Sequence, residues 1–409
     1  IINIDINDKT ATSPVGIPLE LMRDEVLRQS NHTLYYPVDP TSRNDAYVGG
    51  TLSCNASGFI PGEKGATRYW VNEIEFMLIN GFALTIKRGE HISTNGHFVL
   101  DCNGKKINIK IPSYKRPKIK NASGPYSALN ENIDFVDFII GSEGIFGMIT
   151  ACKFNLMVRP KSFLELFIIL ESEEQAIKFH QFIYNLFDDI SIVTALEYFG
   201  HNCQNYMKHK NFFFKREKDV GVYLQVPLFT SSIEKKMEEW SNILIEFDPL
   251  MDLENVISLN DHLNWQKFFE ARHSIPDKAL SKTKELGGVS IITDTIVPKD
   301  NFLNYLNAIH SKLKNKNIEY LLFGHLGDCH LHFHLIPNQA QQEIAIEIYN
   351  YMIDLSSSLG GVYSAEHGTG KRKRNDFKKC YGDDAVEMVK QSKLSFDPNF
   401  VLNRGNVIN

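Results

Sequence analysis

"FGHLGDCHLHFH", residues 323–334, sets four histidines, an aspartate and a cysteine within twelve positions. Read as a strand, its second half alternates: His330, His332 and His334 share one face, while Leu331, Phe333 and Leu335 share the other. Imidazoles opposite an apolar row are the pattern of a buried sheet that carries chemistry on one side. A half-exposed strand with incidental histidines would spell the same letters. The choice between them turns on partners elsewhere in the chain.

"YSAEHGTGKRKR", residues 363–374, supplies such partners. His325, His332 and Glu366 make a set of two imidazoles and one carboxylate, suited to a divalent metal such as zinc with positions left for substrate. His367 stands beside it as a candidate base. A hydrogen-bonded histidine network is the alternative, because no H-E-x-x-H pattern accompanies these residues. Asp328 reads as a turn residue or as one that orients an imidazole.

The 409 residues allow two or three domains, and 43% hydrophobic with 23% charged side chains is ordinary for a globular chain. Forty-four basic against 49 acidic residues give a net charge of -5, so the basic excess of a nucleic-acid binder is missing. The six cysteines form no C-x-x-C pair. This argues against a zinc ribbon or a cysteine-ligated iron–sulfur cluster and suits a reducing compartment. No apolar run reaches the roughly 18 residues of a membrane span. The expected location is cytoplasmic, with peripheral membrane attachment as a variant.

Along the chain, residues 1–160 read as short strands and glycine turns, with one helix candidate in "TSPVGIPLELMRDEVLRQ" and a hairpin across Asn80-Gly81. "YKRPKIKNASGPYS" reads as an exposed loop. From "SFLELFIILES" onward, strands alternate with the helices "SEEQAIKFHQFIYNLFDD", "SSIEKKMEEWSNILIEF" and "NFLNYLNAIHSKLKNKN". The last of these is followed by a strand through "IEYLLFGHLGDCHLHFHLIP", then by a helix that ends at Gly360-Gly361. This is an α+β arrangement, with helices covering one face of a mostly antiparallel sheet. Two glycine-rich turns, "DPTSRNDAYVGGTLSCNASG" and "DFIIGSEGIFGMIT", offer unshielded amides that could receive a phosphate or a planar cofactor. As glycine turns alone they could equally be structural.

Six motifs in order carry a family resemblance: "PVDPTSRNDAYVGGTLSCNASG", "GATRYWVNEIEFML", "FIIGSEGIFGMIT", "GHLGDCHLH", "AEHGTGKRK" and "FDPNFVLNRGNVI". Together they resemble flavoproteins of the vanillyl-alcohol oxidase type, in the branch of the FAD-linked D-lactate, glycolate and D-2-hydroxyglutarate dehydrogenases. The resemblance implies a PCMH-type FAD-binding domain over 1–160 and a cap domain with an antiparallel sheet over 161–345. A C-terminal segment, 346–409, would return to the flavin. It also implies that the pyrophosphate loop lies upstream of residue 1. Non-covalent FAD would be held by Pro37, Asp39, Ser42, Gly49, Gly50, Asn55 and Gly58, and by Glu143, Gly144 and Ile149. The same resemblance assigns a zinc or other divalent ion to His325, His332 and Glu366, the base to His367, and the substrate carboxylate to Arg272.

The activity implied is oxidation of a D-lactate- or glycolate-like 2-hydroxy acid, with a quinone or an electron-transfer protein as acceptor. Three departures from the family pattern bear on the substrate. Cys329-His330 stands where Gly-Asn is usual, and His334 stands where an asparagine is usual, which draws His334 into the catalytic set. Ile292 replaces a lysine that some relatives carry, which disfavours a dicarboxylate. The basic run at 371–374 is either solvated surface or a contact for FAD phosphate, an acidic electron carrier or an anionic membrane. A flavin-free zinc hydrolase and a truncated, non-catalytic relative are the rival readings.

Overall fold

A computed structural model describes residues 1–409, which divide into two compact units. The first comprises residues 1–58, 63–159 and 362–409; the second comprises 59–62 and 160–361.

The second unit is built on a seven-stranded sheet. Its order is Val256–Ser258, Ser162–Leu170, Val220–Leu228, Ala195–Phe199, Glu319–His325, His330–Ile336 and Ile291–Ile292. Every neighbouring pair is antiparallel. Alternation decides which side each residue faces. Leu164, Leu166, Ile168, Leu196, Val222, Leu224, Leu322, Leu331, Phe333 and Leu335 join one core with four helices: Glu173–Leu186, Ile233–Phe247, Phe302–Asn315 and Gln342–Ser358. Each fully buried side chain of this size contributes roughly 1.5–3 kcal/mol. Ser172 and Ser232 start the first two of these helices by accepting from the amides of Gln175 and Lys235.

The other face, which the sequence pattern leaves without a helix, is covered as well. It packs Phe167, Ala195, Phe199 and Leu321 against a 24-residue helix, His262–Glu285, through Phe268, Ala271, Ile275 and Ala279. Asp261 caps this helix by accepting from Asn264 N at 3.0 Å. The helix runs on past Pro276, the residue that conceals it in the sequence.

The opening stretch also differs from the expected single strand. It is a hairpin of Glu319–His325 and His330–Ile336, reversed over Leu326–Cys329. Cys329 takes the left-handed conformation there, with φ +56°. Asp328 Oδ1 pins the turn by accepting from Gly62 N at 2.7 Å, which accords with the expected turn role. The helix Gln342–Ser358, grouped in sequence with the C-terminal segment, counts with the second unit because Ala345, Ile348 and Met352 enter its core.

The first unit carries a five-stranded antiparallel sheet in the order Asn3–Asp5, Thr10–Pro14, Met148–Asn155, Val71–Met77 and Ala83–Lys87. The expected hairpin is its edge, with Gly81 at φ +83° in the turn. Phe76, Phe135, Phe138, Phe146 and Phe396 pack ring against ring behind it. Phe396 closes the C-terminal helix Arg374–Phe396, which kinks at Gly382. "YKRPKIKNASGPYS" has no regular structure, as expected, yet Asn121–Pro125 is buried rather than exposed. Arg116 ties that loop by donating to the carbonyls of Gly124, Pro125 and Asn121.

Candidate functional site

In the second unit, strand register aligns the polar side chains on the face opposite the four helices. Glu197 lies across from His325, His325 across from His330, and Phe323 across from His332. Directly opposed residues in an antiparallel pair sit about 4.5–5.5 Å apart, so the register alone gathers one carboxylate and the imidazoles.

Two of the rings then have one nitrogen fixed by a hydrogen-bond acceptor, and the third lies beside a carboxylate. Glu197 Oε1 accepts from His325 Nδ1 at 2.7 Å, the Thr293 carbonyl from His332 Nδ1 at 3.0 Å, and Asp294 Oδ1 is 3.2 Å from His330 Nε2. One nitrogen from each of these rings lies within 4.8 Å of one from each of the others. An acceptor on one ring nitrogen sets the tautomer and leaves the second nitrogen with its lone pair, the form that binds a metal. The donor set fits a borderline divalent ion such as zinc.

Arg272 reaches the same corner from the long helix. Its guanidinium lies over the Phe59 ring at 4.7 Å, and its Nη2 is 3.6 Å from Glu197 Oε2. Glu197 therefore spans His325 with one oxygen and Arg272 with the other. His334 is wholly buried, and its Nε2 is hydrogen-bonded to Ser290 Oγ. Burial, with a smaller contribution from His332, holds its pKa down at about 4, so it is neutral at physiological pH.

In the first unit, the two glycine-rich segments and the Glu366-His367 segment converge on Glu143. Gly141 N donates to Leu52 O and Glu143 N to Ser53 O, both at 2.9 Å, which joins the second glycine segment to the first. The Glu143 carboxylate accepts from Thr369 N at 2.6 Å, Gly370 N at 2.8 Å and Asn406 Nδ2 at 2.7 Å. Burial pushes its pKa up, and these three donors oppose the shift. Two residues before Gly368, Glu366 Oε1 lies 3.7 Å from His367 Nε2.

Of the expected flavin residues, Glu143 is joined to the first glycine segment and Gly58 to Asp39, but the glycines are not alike. A Cβ on Gly58 would come within 2.6 Å of Asp39 N and Oδ1, so this glycine lets the 37–42 and 55–58 segments touch. Asn55 is spent on the loop itself, with Oδ1 accepting from Arg68 N at 2.8 Å. Gly147 is closed against Phe76, whereas Gly50 has nothing within 4 Å of where a Cβ would stand. Gly50 has an open flank, and Gly144 has no neighbour nearer than 3.9 Å.

Glu197, Thr293 and Asp294 escaped the reading of the sequence, and His330 was read as part of the imidazole face without a ligand role. The signal for two of them was present: "TALEYFG" and "SIITDTIVP" each place a lone acid inside an apolar run, where a carboxylate needs a partner.

Residues 183–407 match the model of the family described as FAD linked oxidases, C-terminal domain. The chain is 24% identical over 416 residues to D-lactate dehydrogenase of Archaeoglobus fulgidus, covering 100% of this chain and 79% of that protein. It is also 24% identical over 417 residues to the glycolate oxidase subunit GlcD of Bacillus subtilis, covering 100% and 77%. Among solved structures, p-cresol methylhydroxylase with substrate bound aligns with a TM-score of 0.65 at 13% identity, over 100% of this chain and 78% of that one. An alkyldihydroxyacetonephosphate synthase aligns with a TM-score of 0.62 at 14% identity over 98% of this chain, which spans 64% of that protein's length. These likenesses bear out an α+β fold of the PCMH type. No helix is long and apolar enough to cross a membrane.

Proposed function

The chain belongs to the FAD-linked oxidases, and from that premise we propose that it oxidises a small 2-hydroxy acid, of the lactate or glycolate kind, to the 2-oxo acid. The observation that carries this reading is the sheet face on which Glu197 braces both His325 and Arg272. It supplies a fixed cation for a carboxylate beside imidazoles prepared for a metal. When bound, the flavin supplies the hydride acceptor and a divalent ion supplies Lewis acidity toward the substrate hydroxyl.

The chain's own residues do the rest. Arg272, stacked on Phe59, orients the substrate carboxylate through its planar fork. His367 takes the hydroxyl proton on a ring nitrogen, with Glu366 steadying the imidazolium. His325 and His332 hold the ion, and the sequence motif adds Glu366 to them. His334, neutral and buried, shapes the polarity of the pocket wall. Pro37, Asp39, Ser42, Gly49, Gly50, Asn55, Gly58, Glu143, Gly144 and Ile149 form the flavin wall, with Gly50 and Gly144 as its open positions. Reducing equivalents leave to a quinone or an electron-transfer protein. Membership of a flavin-linked family removes the reason to read the same residues as a flavin-free zinc hydrolase.

The test is anaerobic mixing of FAD-reconstituted protein with a panel of 2-hydroxy acids, following loss of the oxidised flavin absorbance. At least one short monocarboxylic 2-hydroxy acid is expected to bleach the flavin, and His367→Ala to slow that bleaching by 100-fold or more, the usual scale of a lost general base. Bleaching by none of the panel would discard the substrate class. Unchanged bleaching in His367→Ala would discard the base.

A further inference from the structure

Beside His325 and His332, the sheet face of the second unit brings a third imidazole within reach, one more than a site of two histidines and one carboxylate requires. His330 is wholly buried, and its ring centre is 4.5 Å from that of His332 and 5.4 Å from that of His325. Gathering three polar rings in one buried place carries a desolvation cost that packing alone does not return. The acceptors behind them are equally deliberate. Glu197 comes from the strand Ala195–Phe199, and Thr293 and Asp294 come from the residues that follow Ile291–Ile292. Glu197 and the Thr293 carbonyl hydrogen-bond the His325 and His332 rings, and the Asp294 carboxylate stands 3.2 Å from His330 Nε2. An imidazole backed in this way is the common form of a metal-bound histidine, since the acceptor fixes the tautomer and raises the basicity of the other nitrogen.

We propose that His330 is itself a metal ligand. The second unit then carries by its own residues a three-imidazole set, His325, His330 and His332, for a borderline divalent ion such as zinc or cobalt. The inference rests on the metal-assisted reading above and narrows it. Three nitrogen donors favour zinc, cobalt or nickel over magnesium, calcium or manganese, and a tetrahedral ion keeps a further position for a carboxylate or a substrate oxygen. Asp294 is a positioning residue, acting through the His330 ring.

The experiment uses the whole chain, stripped with a chelator and reloaded with zinc for X-ray absorption, and with cobalt for titration of the visible d–d bands. The parent chain is expected to show three imidazoles around zinc. His330→Asn should reduce that number to two and weaken cobalt binding at least tenfold. Asp294→Asn should weaken binding 10- to 100-fold while keeping three imidazoles, the scale of a lost backing acceptor. Two imidazoles in the parent chain would overturn the role of His330 and leave the two-histidine reading standing, with no variant needed. A parent chain that takes up neither ion would overturn both. Unaltered cobalt affinity in His330→Asn, against a loss in His325→Ala, would remove His330 alone.

Discussion

The two units place their reactive side chains by different means. In the second unit, register does the work. Glu197, His325 and His330 are successive neighbours across three strands, and the apolar alternates of those strands are locked into the opposite core. In the first unit, Glu366 and His367 lie outside helix and strand, on a segment whose following amides are gathered by the single carboxylate of Glu143. A sheet spreads the task over many contacts, so its geometry survives most single changes except at the shared charge. A hub concentrates the task, so one residue holds the local arrangement.

The sharpest way to break this comparison is to remove each unit's central carboxylate. Glu197 is 3% exposed in its side chain and faces both His325 and Arg272. Glu197→Ala strands a partly buried guanidinium, a loss of about 3–5 kcal/mol, and should lower zinc affinity 10- to 100-fold. Glu143→Ala leaves the Thr369 and Gly370 amides without their acceptor, at about 1–3 kcal/mol for each unsatisfied group. Denaturant unfolding gives both totals, and hydrogen exchange gives their location. The Glu143→Ala change is expected to free the amides near 369–370 while metal uptake by the imidazole face persists. Loss of metal uptake in Glu143→Ala would show that the two mechanisms are not separate.

Acid provides the next distinction. His180, packed against Cys329 Sγ at 3.6 Å, is held by burial at a pKa of about 4. Between pH 6.5 and 4 the unfolded chain takes up this proton and the folded chain does not, so stability falls as pH falls through that window. The full loss is on the order of 3 kcal/mol from this one ring. Glu143 has the opposite sign. Its folded pKa is raised, so its contribution is fully present below the ordinary glutamate value and is lost as pH rises through the raised one. His180 and Glu143 therefore respond to acid with opposite signs, and hydrogen exchange around each, followed against pH, checks both. His180→Leu should flatten the acid side of the second unit's stability profile. An unchanged slope would mean that other groups set it.

The same contrast explains what could be read from the letters. Alternation in His330–Ile336 and in Ser162–Leu170 is a local property, so the strands and the split between imidazole and apolar faces were legible. The helix His262–Glu285 was not, because Pro276 interrupts its pattern and its weak amphipathicity is made good only by the sheet beneath. The reversal at Leu326–Cys329 was missed because a cysteine, not a glycine, takes the left-handed position. His325 and His332 were singled out by spacing and Arg272 by resemblance, and the structure sets His325 and Arg272 on either side of Glu197. Glu197 was not, because its importance is a matter of register with a strand more than 120 positions away.

The glycine segments offer the smallest effects and the finest test. The sequence treats Gly50 and Gly147 alike, as bare backbone open to a ligand. The structure separates them. A Cβ on Gly147 would stand 2.2 Å from Phe76 Cζ and 2.9 Å from the Met77 carbonyl, inside the aromatic core of the first unit. Gly147→Ala should therefore cost about 1–3 kcal/mol through overpacking, with or without cofactor. Gly50 lies within the helix Val48–Cys54 with its flank open, so Gly50→Ala should leave the apoprotein unchanged or stabilise it by up to about 1 kcal/mol. Its effect should appear only in FAD affinity, because the added methyl occupies the approach to the backbone. Paired measurements of apoprotein melting and FAD titration check this. Equal FAD affinity in Gly50→Ala and the parent would move the flavin wall away from this turn, and would leave Gly144 as the open position to examine.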